Sequence, residues 1–415
     1  MLNNFNTHYI QPIRGFNRDA RLFLLTTIIN GIIYSGWQLF FNIFILQSGF
    51  DRGFLGIVNS LPSLAGLVFG IPIGRLSDRM GRKPAFFIGI IFSSLAFLGQ
   101  VTFHQPVLIA IMSALAGIFN MFIIVSQSPL MMKLSDHTNR TMLFSLDFGL
   151  QTLAGSVGSL FAGQLPSFFG NMLHVGETSA VAYQAVLIVT ILLGTTALIP
   201  LWLMKEPKEA PSVAHLPEYV QPRRKYESSS TRFTIELATP NFLIGIGAAI
   251  LIPYMNVFFK DRFAISDSSL GILFGLSSLF VGVGSIIGPR LTTLLGGKIR
   301  TIALTQFASI IFLLFVGFSG NFWITAVAVL FRGALMNMSS PLYSAFCMEQ
   351  TPEKQQGFIS SVLNVAWQVG WSVGPYVSGL VQVAYGFGPL FIATAVLYLL
   401  AITIMWILFS KVEVR

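Results

Sequence analysis

Gly74-Arg75-Leu76-Ser77-Asp78-Arg79-Met80-Gly81-Arg82-Lys83-Pro84 places four bases and one acid among glycines. On one side it closes an apolar run over 54–76, and on the other it opens a second over 84–102. A bilayer-spanning helix needs roughly 20 mostly apolar residues, so each run is long enough to cross and the charged stretch is the turn between them. The same reading extends outward along the chain. Of 415 residues, 54% are hydrophobic and only 10% charged, with mean hydropathy +0.73. A soluble domain carries about 25% charged residues, so this chain cannot cover a surface that faces water. Disorder, a collagen, a disulfide scaffold and a soluble enzyme are excluded.

Twelve apolar runs are found, at 21–48, 54–76, 84–102, 106–132, 141–166, 180–204, 240–260, 268–290, 299–318, 321–348, 353–383 and 387–410. Backbone polar groups inside lipid must be satisfied within their own segment, and the runs show little alternation, so they read as helices and not as barrel strands. The fold class is an all-α membrane protein with twelve transmembrane helices in two six-helix pseudo-repeats. The first run, Leu22 to Leu46, is too long for the apolar part of a signal peptide and has no small-residue cleavage pattern after it, so it is taken as span 1.

The net charge of +9 comes from 25 bases and 16 acids. The bases sit between apolar runs and form no single stripe, so no nucleic-acid partner is expected. With the N-terminus inside, 21 of the 25 bases, Arg14, Arg18 and Arg21 among them, fall on one side; Arg52, Lys260 and Arg262 fall on the other and Arg332 inside span 10. The positive-inside rule then makes both termini cytoplasmic and the protein a multi-pass component of the inner (cytoplasmic) membrane. Cys347 is the one cysteine, which rules out an intramolecular disulfide.

The expected organisation is a cytoplasmic segment 1–20, a six-helix half 21–204, a cytoplasmic linker 205–236, a second half 237–410 and a tail 411–415. The linker holds Pro207, Pro211, Pro217 and Pro222 with the basic run Arg223-Arg224-Lys225, a composition that builds no core. Internal matches point to a duplication. Gly70 and Gly74 recur 214 residues later as Gly284 and Gly288; Ser145, Gly158 and Gly163 recur 216 residues later as Ser361, Gly374 and Gly379.

The pattern G-x-L-x-D-R-x-G-R-K in the loop between spans 2 and 3 resembles the signature of the major facilitator superfamily, and the twelve spans, central linker and repeat extend the resemblance over the chain. The copy after span 8, from Gly288 to Lys298, keeps glycines and bases but has Thr292 where an aspartate is expected. Physically, Gly74 suits close backbone approach, Gly81 a tight turn, and the bases need carboxylates or lipid phosphates. These residues, Gly74, Asp78, Arg79, Gly81, Arg82 and Lys83, form the expected cytoplasmic gate. The resemblance implies that Asp78 engages the cytoplasmic start of span 11, where Thr351-Pro352-Glu353 reads as an N-cap followed by a first-turn proline. The alternative is that the bases only fix topology.

An ionised side chain at mid-membrane costs roughly 2.5–3.5 kcal/mol on insertion scales, so Asp147 in span 5 and Arg332 in span 10 stand out. Asp147 shares a helical face with Gln151 and Gly158 and is the expected coupling residue; its other reading is an interface or gate residue. Arg332 aligns with Met336, Ser339 and Tyr343. It suits an anionic or carbonyl group of a substrate, a pairing with Asp147, or helix carbonyls. Asn30, Tyr34, Trp37 and Gln38 share a stripe on span 1; Asn364, Trp367 and Gln368 share one on span 11; Asn120 and Gln127 lie seven apart on span 4. Amides and indoles on one face have no use against lipid, so these stripes, with Arg332 and Tyr343, are the expected cavity wall, against the alternative of helix packing or interfacial anchoring.

Drug exporters of the superfamily carry R-x-x-x-G in span 4, where this chain reads Ala116 to Asn120. Their span 5 antiporter motif resembles Gly370, Gly374 and Pro375 of span 11. No H-E-x-x-H, phosphate-binding glycine loop or cysteine pair is found, so neither an enzyme, a cofactor nor a metal is expected. The expectation is a monomeric secondary transporter of a small organic, amphipathic solute, working by alternating access with proton-coupled efflux. Two alternatives stand: import or facilitated passage of a polar solute such as a sugar or organic anion, and a non-transporting membrane receptor of the same fold.

Overall fold

The computed structural model describes residues 16–135, 139–205, 231–352 and 355–410. The expected N-terminal segment before residue 16, most of the linker, Glu353 of the span 11 cap and the tail lie outside the described residues. Among those described there is no strand. Ten helices are long and apolar enough to cross a membrane. The other two expected spans, 5 and 11, are the helices Arg140–Ala162 and Gln356–Tyr385.

In chain order the helices are α1 (Arg18–Gln47), α2 (Arg52–Met80), α3 (Arg82–Thr102), α4 (Pro106–Leu134), α5 (Arg140–Ala162), the short α6 (Leu165–Met172), α7 (Ala180–Thr195) and α8 (Leu198–Leu203). They continue with α9 (Thr231–Ala249), α10 (Met255–Phe263), α11 (Asp267–Leu295), α12 (Lys298–Phe318), α13 (Phe322–Asn337), α14 (Ser339–Gln350), α15 (Gln356–Tyr385) and α16 (Gly388–Phe409). Three spans that the sequence reads as single runs are interrupted. Span 6 is α7 plus α8. Span 7 breaks at the 3-10 turn Ile252–Tyr254, where Pro253 brings no N–H. Span 10 breaks at Met338, because the ring of Pro341 removes the bond that the carbonyl of Asn337 would otherwise accept.

Two compact units result, Met1–Gln47 with Val68–Tyr219, and Ser48–Leu67 with Val220–Arg415. Within the first, α1 packs on α5 and α7, and α3 on α4 and α7. Within the second, α9 packs on α15 and α16, and α12 on α13 and α16. These pairings correspond one to one under the duplication. The glycine matches explain the tightest of them. A methyl on Gly158 would meet the carbonyl oxygen of Ile32 and Oγ of Ser35, and one on its repeat mate Gly374 would lie 2.6 Å from Cβ of Ala249. In lipid, where apolar burial gains little, close van der Waals crossing of this kind drives helix association.

The first unit closes at one end on Phe23, Phe86, Leu130, Met131, Leu143 and Leu201, contributed by five helices. The second unit is stitched by side-chain bonds to backbone: Asn241 donates to the carbonyl of Leu363 at 2.7 Å and Thr394 to that of Gly247 at 3.0 Å. It also takes in the first part of α2, through Ser60 Oγ accepting the N–H of Tyr376 at 3.0 Å and Arg52 pairing with Asp261 at 2.5 Å. That pair is exposed and worth little, about 0–1 kcal/mol. Lys260 and Asp267, 2.6 Å apart, are far more enclosed. Large apolar side chains such as Ile71, Phe161, Trp202, Ile286 and Ile407 point outward, as lipid-facing surfaces require.

The start of span 11 differs from expectation. Thr351 ends α14 by donating its hydroxyl to the carbonyl of Cys347 at 2.7 Å, and α15 begins only at Gln356, with Gln355 as its N-cap. A hydroxyl spent on the preceding turn cannot cap the next helix.

Candidate functional site

A cavity of about 370 Å³ lies inside the first unit, a volume within the usual range for small-molecule sites. Helix α1 supplies Thr27, Asn30, Tyr34 and Trp37 to its wall; α3 supplies Phe86, Ile90, Ser93 and Phe97; α4 supplies Asn120, Ile123 and Gln127; α5 supplies Gln151. Spacings of three and four along α1 put its four residues on one face. None of the lining residues is charged. Trp37 stacks on Phe41 with centroids 4.3 Å apart and meets Phe97 at 4.5 Å, which fixes the indole as a flat wall. Gln38 is not part of the lining; it donates to the hydroxyl of Tyr34 at 2.8 Å.

Asp147 sits one layer behind this wall and is 8% exposed. Thr27 donates its hydroxyl to Oδ1 at 2.7 Å, and Gln127 donates its amide N–H to Oδ2 at 2.9 Å. Among the described residues no base pairs with it. Both donors face the cavity as well, so the carboxyl group communicates with the cavity through them. The sequence stripe on span 1 began at Asn30 and omitted Thr27. Threonine at three and seven residues before Asn30 and Tyr34 continues the same face, which is the signal that would have found it.

In the second unit, Arg332 is 8% exposed and donates from Nη2 to the hydroxyl of Tyr398 at 3.1 Å, with its Nε unpartnered. Its guanidinium carbon lies 6.0 Å from the Tyr398 ring centre. Tyr343 is buried and spends its hydroxyl on the carbonyl of Leu237 at 2.7 Å. Trp367 stacks near Trp371, Asn364 is exposed, and Gln368 is half-buried.

The residues expected at the gate form a network within the first unit. Asp78 pairs with Arg82, whose Nη1 also donates to Oγ of Ser77 at 3.0 Å; Ser77 in turn bonds Ser126 at 2.8 Å. Lys83 donates to the carbonyls of Trp202 and Met204 at 3.0 and 2.5 Å, closing the end of α8. Arg79 is exposed. Gly81 holds φ at 94°, a conformation that other residues rarely adopt, and so makes the tight turn. Gly74 does not serve close approach: a methyl there would meet nothing within 4 Å. Among the described residues no cluster of His, Cys, Asp or Glu is arranged to hold a metal.

Apolar helices in two repeated units, the first enclosing an uncharged cavity backed by one buried carboxyl group, are the architecture of a membrane transporter. The sequence model described as Major Facilitator Superfamily matches residues 23–236 and 237–415, and the chain belongs to that superfamily. The tetracycline resistance protein, class H, of Pasteurella multocida is 22% identical over 92% of this chain and 94% of its own. The multidrug resistance protein MdtG of Proteus mirabilis is 25% identical over 37% of this chain, a match that spans only 39% of that protein. A bacterial homolog of the human lysosomal transporter Spinster, solved inward-facing and occupied, covers 94% of this chain and 95% of its own with a TM-score of 0.71 at 14% identity.

Proposed function

We propose that this protein is a proton-coupled exporter of a small, amphipathic organic solute, working as a monomer in the inner membrane with both termini in the cytoplasm and its halves, 21–204 and 237–410, alternating access. The observation that carries this reading is Asp147. A buried carboxyl group with no cationic partner among the described residues is costly while ionised, and exchanging a proton relieves the cost. Its two hydrogen-bond donors belong to the cavity wall, so proton and solute have a common address. The flat aromatic and amide wall suits a body part apolar and part polar. The names of two relatives, a multidrug and a tetracycline resistance protein, favour outward transport. Arg332 is assigned as a substrate or charge partner in the second unit, alongside Tyr343, Asn364, Trp367 and Gln368, and the Asp78–Arg82 loop as the cytoplasmic gate.

One observation favours a second reading. Four amides, Asn30, Asn120, Gln127 and Gln151, line the cavity and would also bind the hydroxyls of a polar solute moving inward. Proteoliposomes with an imposed pH gradient decide between the two when a panel of aromatic and sugar-like solutes is tested on the native chain and on Asp147→Asn. Efflux-type exchange against protons, lost in Asp147→Asn, is the expected result. Uptake that rises with the proton gradient in the same direction as the proton would replace export by import, and gradient-independent flux would remove coupling.

A further inference from the structure

The cavity of the first unit reaches past α1 and α4 to the helices α3 and α7. In a membrane helix a serine or threonine ordinarily spends its hydroxyl on a carbonyl of the preceding turn, because lipid offers it no other partner. Ser93 donates in this way to Ile90 at 3.3 Å, Thr152 to Phe148 at 2.8 Å and Thr195 to Leu192 at 2.6 Å. Ser94 on α3 and Thr190 on α7 do not. Both line the cavity, and neither hydroxyl has a partner among the described residues. The two also lie at one depth. Spans α3, α4, α5 and α7 alternate in direction, so α7 runs antiparallel to α3, and Gln184 sets their register by donating to the carbonyl of Val101 at 2.6 Å. Counted from that bond at 1.5 Å per residue, Thr190 lies about 9 Å along α7 and Ser94 about 10.5 Å back along α3. Phe97, one turn from Ser94, meets the Trp37 ring at 4.5 Å. One turn beyond Thr190 on the opposite side is Gly194, where an added methyl would meet the side chain of Ile33 at 3.2 Å and no backbone. Gly194 and Ile33 both line the cavity, so a branched side chain in place of the glycine would fill that end.

We propose that Ser94, Thr190 and Gly194 are specificity-determining residues, selecting an uncharged aromatic solute that carries a phenolic or carbonyl oxygen. The solute lies within the first unit, with its ring system against Trp37 and Phe97 and its oxygen at the level of the two hydroxyls. The proposal rests on the reading of this cavity as the solute's site. The oxygen follows from the hydroxyls: each can donate and accept, so together they serve a phenol or a carbonyl equally well. The aromatic body follows from the two rings one turn away, and neutrality from a lining without a charged side chain. Gly194 sets the length, since it leaves open the end of the cavity that a larger residue would close.

The test uses the purified full chain in lipid nanodiscs, with 2-naphthol as the probe and naphthalene, the same rings without the oxygen, as its comparison. Retention on equilibrium dialysis is measured against empty nanodiscs. The native protein is expected to bind 2-naphthol saturably and about tenfold more tightly than naphthalene, the worth of one or two hydrogen bonds. Ser94→Ala and Thr190→Val should each lower 2-naphthol affinity about three- to tenfold and leave naphthalene unchanged. Thr195→Val, whose hydroxyl is spent on its own helix, should change neither, and Gly194→Leu should abolish both. Thiol access provides a second measurement if a variant does not fold. The native cysteine, Cys347, is buried, so Ser94→Cys can be compared with Leu95→Cys, the next residue, whose side chain is 55% exposed on the outside of the unit. A charged methanethiosulfonate, which needs a hydrated thiolate, should modify Ser94→Cys about tenfold faster, and 2-naphthol should protect it. No saturable binding, an oxygen preference that survives loss of both hydroxyls, or equal labelling of the two thiols each overturns the proposal. Gradient-driven transport of 2-naphthol that ignores all three substitutions would defeat this subsite alone. The stated preferences without any gradient-driven flux would defeat the exporter reading alone.

Discussion

Arg332 and Tyr398 form a buried pair in the second unit in which a permanent charge is held by one phenol: Nη2 donates to the hydroxyl at 3.1 Å, and Nε has no partner. A guanidinium enclosed to this degree, with no carboxylate beside it among the described residues, is a poor stabiliser, since apolar replacements of buried charges are often neutral or favourable by about 1–4 kcal/mol. Arg332→Met is therefore expected to hold or raise the melting temperature in detergent while abolishing transport. Tyr398→Phe keeps the ring under the cation and removes the acceptor, so it should lower stability by about 1–3 kcal/mol. Thermal unfolding and flux measured on the same preparations check both. A fall in melting temperature for Arg332→Met would make the residue structural.

Close crossing of α1 and α5 depends on Gly158. A methyl there meets the carbonyl oxygen of Ile32, which belongs to backbone and cannot rotate away. Gly158→Ala should cost about 1–3 kcal/mol by overpacking. Gly149 in the same helix has nothing within 4 Å, so Gly149→Ala should be neutral or stabilising by up to about 1 kcal/mol, the helix-propensity difference. Paired melting curves distinguish the two sites. Equal effects would mean that packing at the crossing is looser than these distances state.

These contrasts also mark what could be read from sequence. The twelve runs were legible because bilayer thickness imposes a length that composition reveals, and the offset between Gly158 and Gly374 marked the duplication, though not which helices these glycines would let cross. Asp147 stood out because a charge in an apolar run is rare. Its partner Thr27 did not, since a helical threonine ordinarily bonds the preceding turn, and this one also reaches the carbonyl of Phe23 at 3.3 Å. Tyr398 lies 66 residues from Arg332, and no periodicity joins them. The cap expected at Thr351 failed for a local reason: one hydroxyl serves one turn, and the carbonyl of Cys347 takes it. Of the two roles read for the motif glycines, the tight turn at Gly81 has the backbone angle that demands glycine, whereas the close approach expected at Gly74 is not made.

The motif loop itself divides into two roles that a pair of substitutions can separate. Lys83 is half-buried and donates to the carbonyls of Trp202 and Met204, where a cation also meets the negative end of α8. Lys83→Met should leave those oxygens without a donor and cost about 1–3 kcal/mol of stability. Asp78, with 59% of its side chain exposed, pairs with Arg82 one turn away, and such a pair contributes about 0.3–0.5 kcal/mol. Asp78→Asn is therefore expected to leave the melting temperature almost unchanged. If Asp78 nevertheless belongs to the cytoplasmic gate, the same variant should slow transport severely, because its effect falls on the balance of conformations and not on the fold. Flux and melting temperature measured together give a clear reading: a stable, inactive Asp78→Asn beside a destabilised Lys83→Met supports the division. A stable and fully active Asp78→Asn would remove this residue from the gate and leave the loop as a structural cap and topology signal.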